Sequence, residues 1–238
     1  MSGSTEALYR EHPYATAFDA TVVGVDDNGI VLDRSLFYPQ GGGQPGDAGV
    51  LVTADGTRIA IDDTRYDAAG DIRHRPAPDA PRPAEGERVS GTIDWALRYP
   101  RMRIHTCLHL LSVAIPAPVT GGSIGDGHGR LDFDLPESTL EREAVTATLN
   151  ELIAADHPVT TEWITQAELD ARPELVKTLS VQPPRTGGPV RLVRIGAIDL
   201  QPCGGTHVAA TAEIGRVRVR KIEKKSRHNR RVSIVLED

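Results

Sequence analysis

His105 and His109 stand four residues apart in HTCLHLL, and Cys203 and His207 stand four apart in CGGTH. Positions i and i+4 of a helix share one face, a turn apart, so the imidazoles at 105 and 109 can grip one metal ion. Thr106, not Glu, follows the first histidine, which removes the metalloprotease pattern with its built-in general base. In the second pair Pro202, Gly204 and Gly205 argue against a helix. A glycine turn would aim the thiolate and the imidazole at one point. Three imidazoles and one sulfur suit tetrahedral zinc. Each pair alone has a plain structural explanation, as a helical histidine pair without metal or a buried cysteine in a turn; the two together are hard to obtain by accident.

The elements around these residues change period along the chain. Residues 17–95 read as short strands broken by turn signals: AFDATVVGV, the turn at 26–29, IVLDRSLF, VLVT, TRIAID and RVSGTIDW. Such spacing suggests a small barrel or sandwich. PQGGGQPGD at 39–47 is too glycine-rich for strand or helix, and RPAPDAPRPAEG at 75–86 reads as a surface loop. Beyond residue 95 helical spacing takes over. Pro100 fits a first helical turn, and Ile104, Leu108, Leu111 and Ile115 follow until Pro116. Ser138 with Glu141, and Thr165 with Glu168, have the capping-box spacing. Val145, Leu149, Leu152 and Ile153 make the buried stripe of the first of these helices. VTTEWI and RLVRI are expected strands, and the chain ends in two more, joined near 226–229. The expected class is therefore α+β: a β-barrel-like domain over 1–95, then a mixed α+β domain over 96–238 that carries the zinc site.

The formal charge of −6 hides an asymmetry. Between Arg216 and Arg231 lie nine basic residues and one acid, a window of +8, so the remainder carries −14. Arg216, Arg218, Arg220, Lys221, Lys224 and Lys225 head that window. On a strand Arg216, Arg218 and Arg220 face opposite to Val217 and Val219. A basic patch on an acidic body suits docking of a polyanion; a solvated strand pair with protective lysines explains the same charges. With 238 residues and 39% hydrophobic content the chain can bury a core, so disorder does not describe it. No apolar run is long enough for a membrane helix, and the N-terminus lacks the apolar stretch of a signal peptide. Two cysteines make no disulfide framework. A soluble, cytoplasmic protein is expected.

HTCLHLL and CGGTH resemble the paired metal motifs of the alanyl-tRNA synthetase editing domain and of its free-standing relatives, the AlaX-type alanyl-tRNA editing proteins. FYPQGGGQPGDAG at 37–49 resembles the Gly-rich stretch of the β domain in the longer AlaX forms, and VTGGSIGDGHGRLDFD at 119–134 is similar to a further family segment. The likeness runs in order from about residue 17 to the end. It implies hydrolysis of mischarged Ser-tRNA(Ala), with Gly-tRNA(Ala) as a second candidate, and one Zn2+ held by His105, His109, Cys203 and His207. It implies that Thr120 meets the serine hydroxyl and that Gln44 orients substrate or water, where the residues alone suggest a turn threonine and a loop glutamine. The basic stretch would then meet phosphates of the tRNA(Ala) acceptor stem. Four protein ligands resemble a closed structural site, whereas hydrolytic zinc keeps a position open; an ion that positions substrate is the reading taken. His128, Asp126 and Asp132 are the acid–base candidates nearest the glycines, and each also reads as a surface or structural residue. The competing functions are a non-catalytic zinc-stabilised RNA-binding module, editing of another mischarged tRNA as in the threonyl-tRNA synthetase editing domain, and a metal-dependent esterase.

Overall fold

The computed structural model describes residues 5–136, 140–178 and 188–237. Its elements in chain order are β1 Glu6–Ala7, β2 Ala17–Asp26, β3 Gly29–Leu32, β4 Arg34–Ser35, β5 Gly49–Thr53, β6 Arg58–Tyr66, β7 Ile72–Pro76, β8 Arg88–Ile93 and α1 Trp95–Ala114. They continue with β9 Val119–Ile124, β10 His128–Asp134, α2 Arg142–Ala154, β11 Val159–Ile164, α3 Gln166–Asp170, β12 Val190–Ile195, β13 Asp199–Pro202, β14 Val217–Lys224 and β15 Asn229–Leu236. The class is mixed α+β. Two compact units divide at Tyr99/Pro100, inside α1.

In the first unit six strands close a barrel in the order β2-β3-β7-β6-β5-β8. Alternation fills its interior with Val22, Ile30, Leu32, Leu51, Ile59 and Val89, all buried. β7 was not among the expected strands, and it takes in the first two residues of the 75–86 segment expected to be a surface loop. It escapes hydropathy because its second inward position is His74, which is fully buried with Ile72 two residues before it. The His74 Nδ1–H donates to the Ile30 carbonyl (3.0 Å) and Nε2 accepts from the Ser35 hydroxyl (2.7 Å), so a polar ring sits satisfied in an apolar wall. The Gly-rich loop is pinned from both sides. Buried Asp47 accepts from the Tyr38 amide (2.7 Å) and pairs with buried Arg98, which also donates to the Leu36 carbonyl (2.7 Å). A Cβ at Gly46 would overlap the Thr64 carbonyl, so only glycine fits there.

The second unit packs α1 and α2 with a four-stranded antiparallel sheet, β14-β15-β10-β9, and a three-stranded antiparallel sheet, β11-β12-β13. Helix α1 begins at Trp95, so Pro100 lies inside it rather than in its first turn. Residues 104–112 are buried on every side, not along one stripe; a helix enclosed all round needs no amphipathic period. The Thr165–Glu168 capping box is present at α3. Helix α2 begins at Arg142 with Glu141 as its N-cap, and the Ser138 expected to cap it lies outside the described residues. Val145, Leu149 and Ile153 form its buried face. The hairpin of β9 and β10 went unrecognised in sequence because its glycines mask the alternation of Leu131 and Phe133. Thr120 is the extra residue of a bulge there: Gly121 pairs with Asp132 and Val119 with Phe133.

Candidate metal centre

Two segments nearly a hundred residues apart in sequence meet in the second unit. The ligand atoms of His105, His109, Cys203 and His207 all lie within 4.8 Å of one another. Cys203 Sγ is 3.3 Å from His105 Nε2 and 3.3 Å from His207 Nε2. A tetrahedral zinc with ordinary bond lengths sets a sulfur–nitrogen edge of about 3.6 Å, so the spacing fits such an ion after a small adjustment. The rings of His105 and His207 lie 4.2 Å apart between centroids, and those of His109 and His207 4.7 Å.

Helix α1 supplies the first two ligands from consecutive turns. The third, Cys203, directly follows strand β13, where it continues the alternation of Asp199 and Gln201. The turn that follows carries the two glycines, yet neither Gly204 nor Gly205 has positive φ, so left-handed backbone does not shape it. Buried Arg191 shapes it instead, donating to the carbonyls of Cys203 and Gly205 at 2.9 Å each. Sequence reading passed over Arg191 because RLVRI looks like any strand with solvated arginines.

Outer partners fix two imidazoles. Thr106 Oγ1 donates to the Met102 carbonyl (3.0 Å), so it accepts from His207 Nδ1–H at 3.1 Å and leaves Nε2 for the centre. Asp199 Oδ2 accepts from His109 Nδ1–H at 3.0 Å, with the same result. Such contacts set tautomer and ring orientation at metal sites. The electrostatics agree with a ligand set. Burial pushes the Cys203 thiol up, but its electrostatic interaction with the neighbouring imidazoles, His105 first, and their hydrogen bonds outweigh it and hold the thiol well below its ordinary value. Burial and the His105 charge take His207 down to about 3, the neutral form. Burial would lower His109 too, yet its bonds to Asp199 and Cys203 raise it to about 9. Asp199, despite its burial, is held at about 2 by His109, Lys177 and Gln201.

The other sequence candidates are placed as follows. Thr120 Oγ1 donates to the Asp132 carbonyl (3.1 Å) and accepts from Asn229 Nδ2 (2.9 Å), which fixes the hydroxyl. Asp132 is gripped by Arg130 and Arg231 at 2.6–2.8 Å; burial opposes its ionisation, but the two guanidiniums keep it below its ordinary value, a poor setting for a base. Asp126 pairs with Arg101 (2.7 Å) and His128 is exposed. Gln44 is buried in the Gly-rich loop of the first unit, its backbone bridged to Gly41. On β14 Val217 and Val219 are buried while Arg218 and Arg220 are exposed, and Arg216 before them is exposed too. Arg218 pairs with Glu237 (3.2 Å), and Lys221 and Lys225 share Glu223. Arg216, Arg220 and Lys224 form no ion pair with any described residue.

Residues 190–233, which span β12, the CGGTH turn and the basic strands, match the second additional domain of threonyl and alanyl tRNA synthetases. Residues 4–97 match class II (A) tRNA synthetases. The chain is 36% identical to the alanyl-tRNA editing protein AlaX-M of Methanosarcina mazei over 98% of its own length and 97% of that protein's. It is 34% identical to the AlaX-M protein of Saccharolobus solfataricus, covering 96% and 97%. The chain belongs to the AlaX family of alanyl-tRNA editing proteins. The AlaX-L protein of Pyrococcus horikoshii is 35% identical, with 94% of this chain matching 56% of that longer one. The match to AlaX-M covers both the barrel and the four-residue cluster. No described helix is long and apolar enough to cross a membrane.

Proposed function

We propose that this chain is a trans-editing hydrolase that clears Ser-tRNA(Ala), with Gly-tRNA(Ala) as a second substrate, by cleaving the aminoacyl ester beside a zinc ion held by His105, His109, Cys203 and His207. The convergence of those four ligand atoms in a chain homologous to AlaX-M over its whole length carries the reading. Water adds to the ester carbonyl, the bond to the ribose oxygen breaks, and the ribose hydroxyl and the free amino acid depart. A bound zinc ion would supply positive charge for the substrate's carbonyl or amine.

This chain's residues supply the rest. Thr106 and Asp199 hold the histidine rings, and Arg191 holds the turn that presents Cys203 and His207. Thr120, its hydroxyl fixed by two hydrogen bonds, recognises the serine side chain. A hydrophobic pocket rejects an added hydroxyl poorly, whereas a site that hydrogen-bonds the hydroxyl discriminates strongly against a substrate lacking it. Gln44 is assigned to orienting substrate or water. Arg216, Arg220 and Lys224, which pair with no carboxylate among the described residues, are the foremost phosphate contacts, with Arg218, Lys221 and Lys225 beside them.

Single-turnover deacylation decides between this reading and a binding module. The chain is expected to clear Ser-tRNA(Ala) far faster than Ala-tRNA(Ala). Thr120→Val should lose roughly tenfold to a hundredfold on the serine substrate and little on a glycine one. Rates equal to the uncatalysed ester for every substrate would leave only RNA binding.

A further inference from the structure

The side chain behind His109 is part of a longer connection. Asp199 is 5% exposed, and each of its oxygens is used. Oδ2 accepts from His109 Nδ1–H at 3.0 Å and from Gln201 Nε2 at 2.8 Å, while Oδ1 accepts from Lys177 Nζ at 2.5 Å. Lys177 is itself anchored by backbone: its carbonyl accepts from the Val119 amide at 3.0 Å, and Val119 bridges to Thr178 in parallel. Val119 immediately precedes Thr120 on β9. One unbroken line of bonds therefore runs from the strand carrying Thr120, through Lys177 and Asp199, to a ligand ring on α1.

We propose that Asp199 and Lys177 are positioning residues: Asp199 locks His109 with Nε2 toward the ligand cluster, and Lys177 ties Asp199 to the strand that carries Thr120. The inference rests on the reading of the cluster as a metal centre. A neutral imidazole can protonate either nitrogen, and only an acceptor at Nδ1 reserves Nε2 for a metal. A carboxylate alone could still swing. The Lys177 ammonium on Oδ1 and the Gln201 amide on Oδ2 remove that freedom by holding both oxygens. Gln201 follows Asp199 on the same face of β13 and Cys203 comes immediately after the strand, so one short segment carries two supports and a ligand.

The test is made on the full chain, with zinc affinity read by chelator competition and geometry by the visible spectrum of the cobalt-substituted protein. Asp199→Ala is expected to weaken zinc binding 10- to 100-fold, the range for lost outer support of a metal ligand. Lys177→Met, at a partly exposed position, is expected to weaken it several-fold and to alter the cobalt bands, and Lys177→Arg is expected to restore both. Should Asp199→Ala fail to fold, the Lys177 pair carries the test alone. Parental affinity and unchanged cobalt bands in Lys177→Met and Asp199→Ala would overturn the positioning roles while leaving the metal centre standing. A parent chain that takes up neither zinc nor cobalt would overturn the centre itself, and with it the proposal.

Discussion

The sulfur of Cys203 sits among three imidazoles, and the charge distribution favours its ionised form without any metal. His109 holds a proton in that state, its ordinary value of 6.5 raised to about 9 by Asp199 and Cys203 against the penalty of burial. Binding a metal at Nε2 must expel that proton. Below about pH 9 the proton competes with the metal, so apparent zinc affinity should climb about tenfold per pH unit from pH 7 to 9 and then level off. Chelator competition across that range measures the slope, and a flat profile would contradict His109 as a ligand. That His105, His109, Cys203 and His207 could hold one metal was legible from residue type and spacing. Their supports were not, because Asp199, Thr106 and Arg191 are ordinary residues until the fold brings them behind the rings. The alternation of Asp199, Gln201 and Cys203 was the one available signal, and it requires knowing that DLQP is a strand.

Elements differ in how openly their sequences announce them. β2, β5, β8 and β15 follow simple alternation and turn chemistry. β7 and the β9–β10 hairpin do not: one buries a histidine, and the other is rich in glycine. His74 turns this into a measurable property of the barrel. Burial depresses its pKa from 6.5 to about 4, with the Ile30 carbonyl opposing the shift. Above pH 6.5 the ring is neutral folded and unfolded, and its full contribution is present. As pH falls from 6.5 to 4 the unfolded chain takes up the proton and the folded one does not, so stability is lost across that window, by up to roughly 3 kcal/mol. Urea unfolding between pH 7 and 4 should show the decline. His74→Gln, which can still donate to Ile30 and accept from Ser35, should flatten it. An equally steep decline in the variant would assign the loss to other groups.

At the scale of the molecule the charge is segregated: an acidic chain with one basic strand pair. Phosphate binding releases counterions, so the logarithm of affinity falls with the logarithm of salt in proportion to the phosphates neutralised. Arg216 and Arg220 pair with no carboxylate among the described residues. Arg216→Glu with Arg220→Glu should weaken tRNA binding at low salt and reduce the salt slope by about 2. An unchanged slope would move the RNA elsewhere. The basic window was visible in sequence, but which of its cations are already neutralised by Glu223, Glu237 and Asp132 required the fold.

The most direct measurement is metal content beside single-turnover deacylation of Ser-tRNA(Ala), for the parent and for Cys203→Ala. One zinc per chain in the parent, none in the variant, and a fall in rate of about a hundredfold or more are expected. A metal-free Cys203→Ala chain that deacylates at the parental rate would contradict the account.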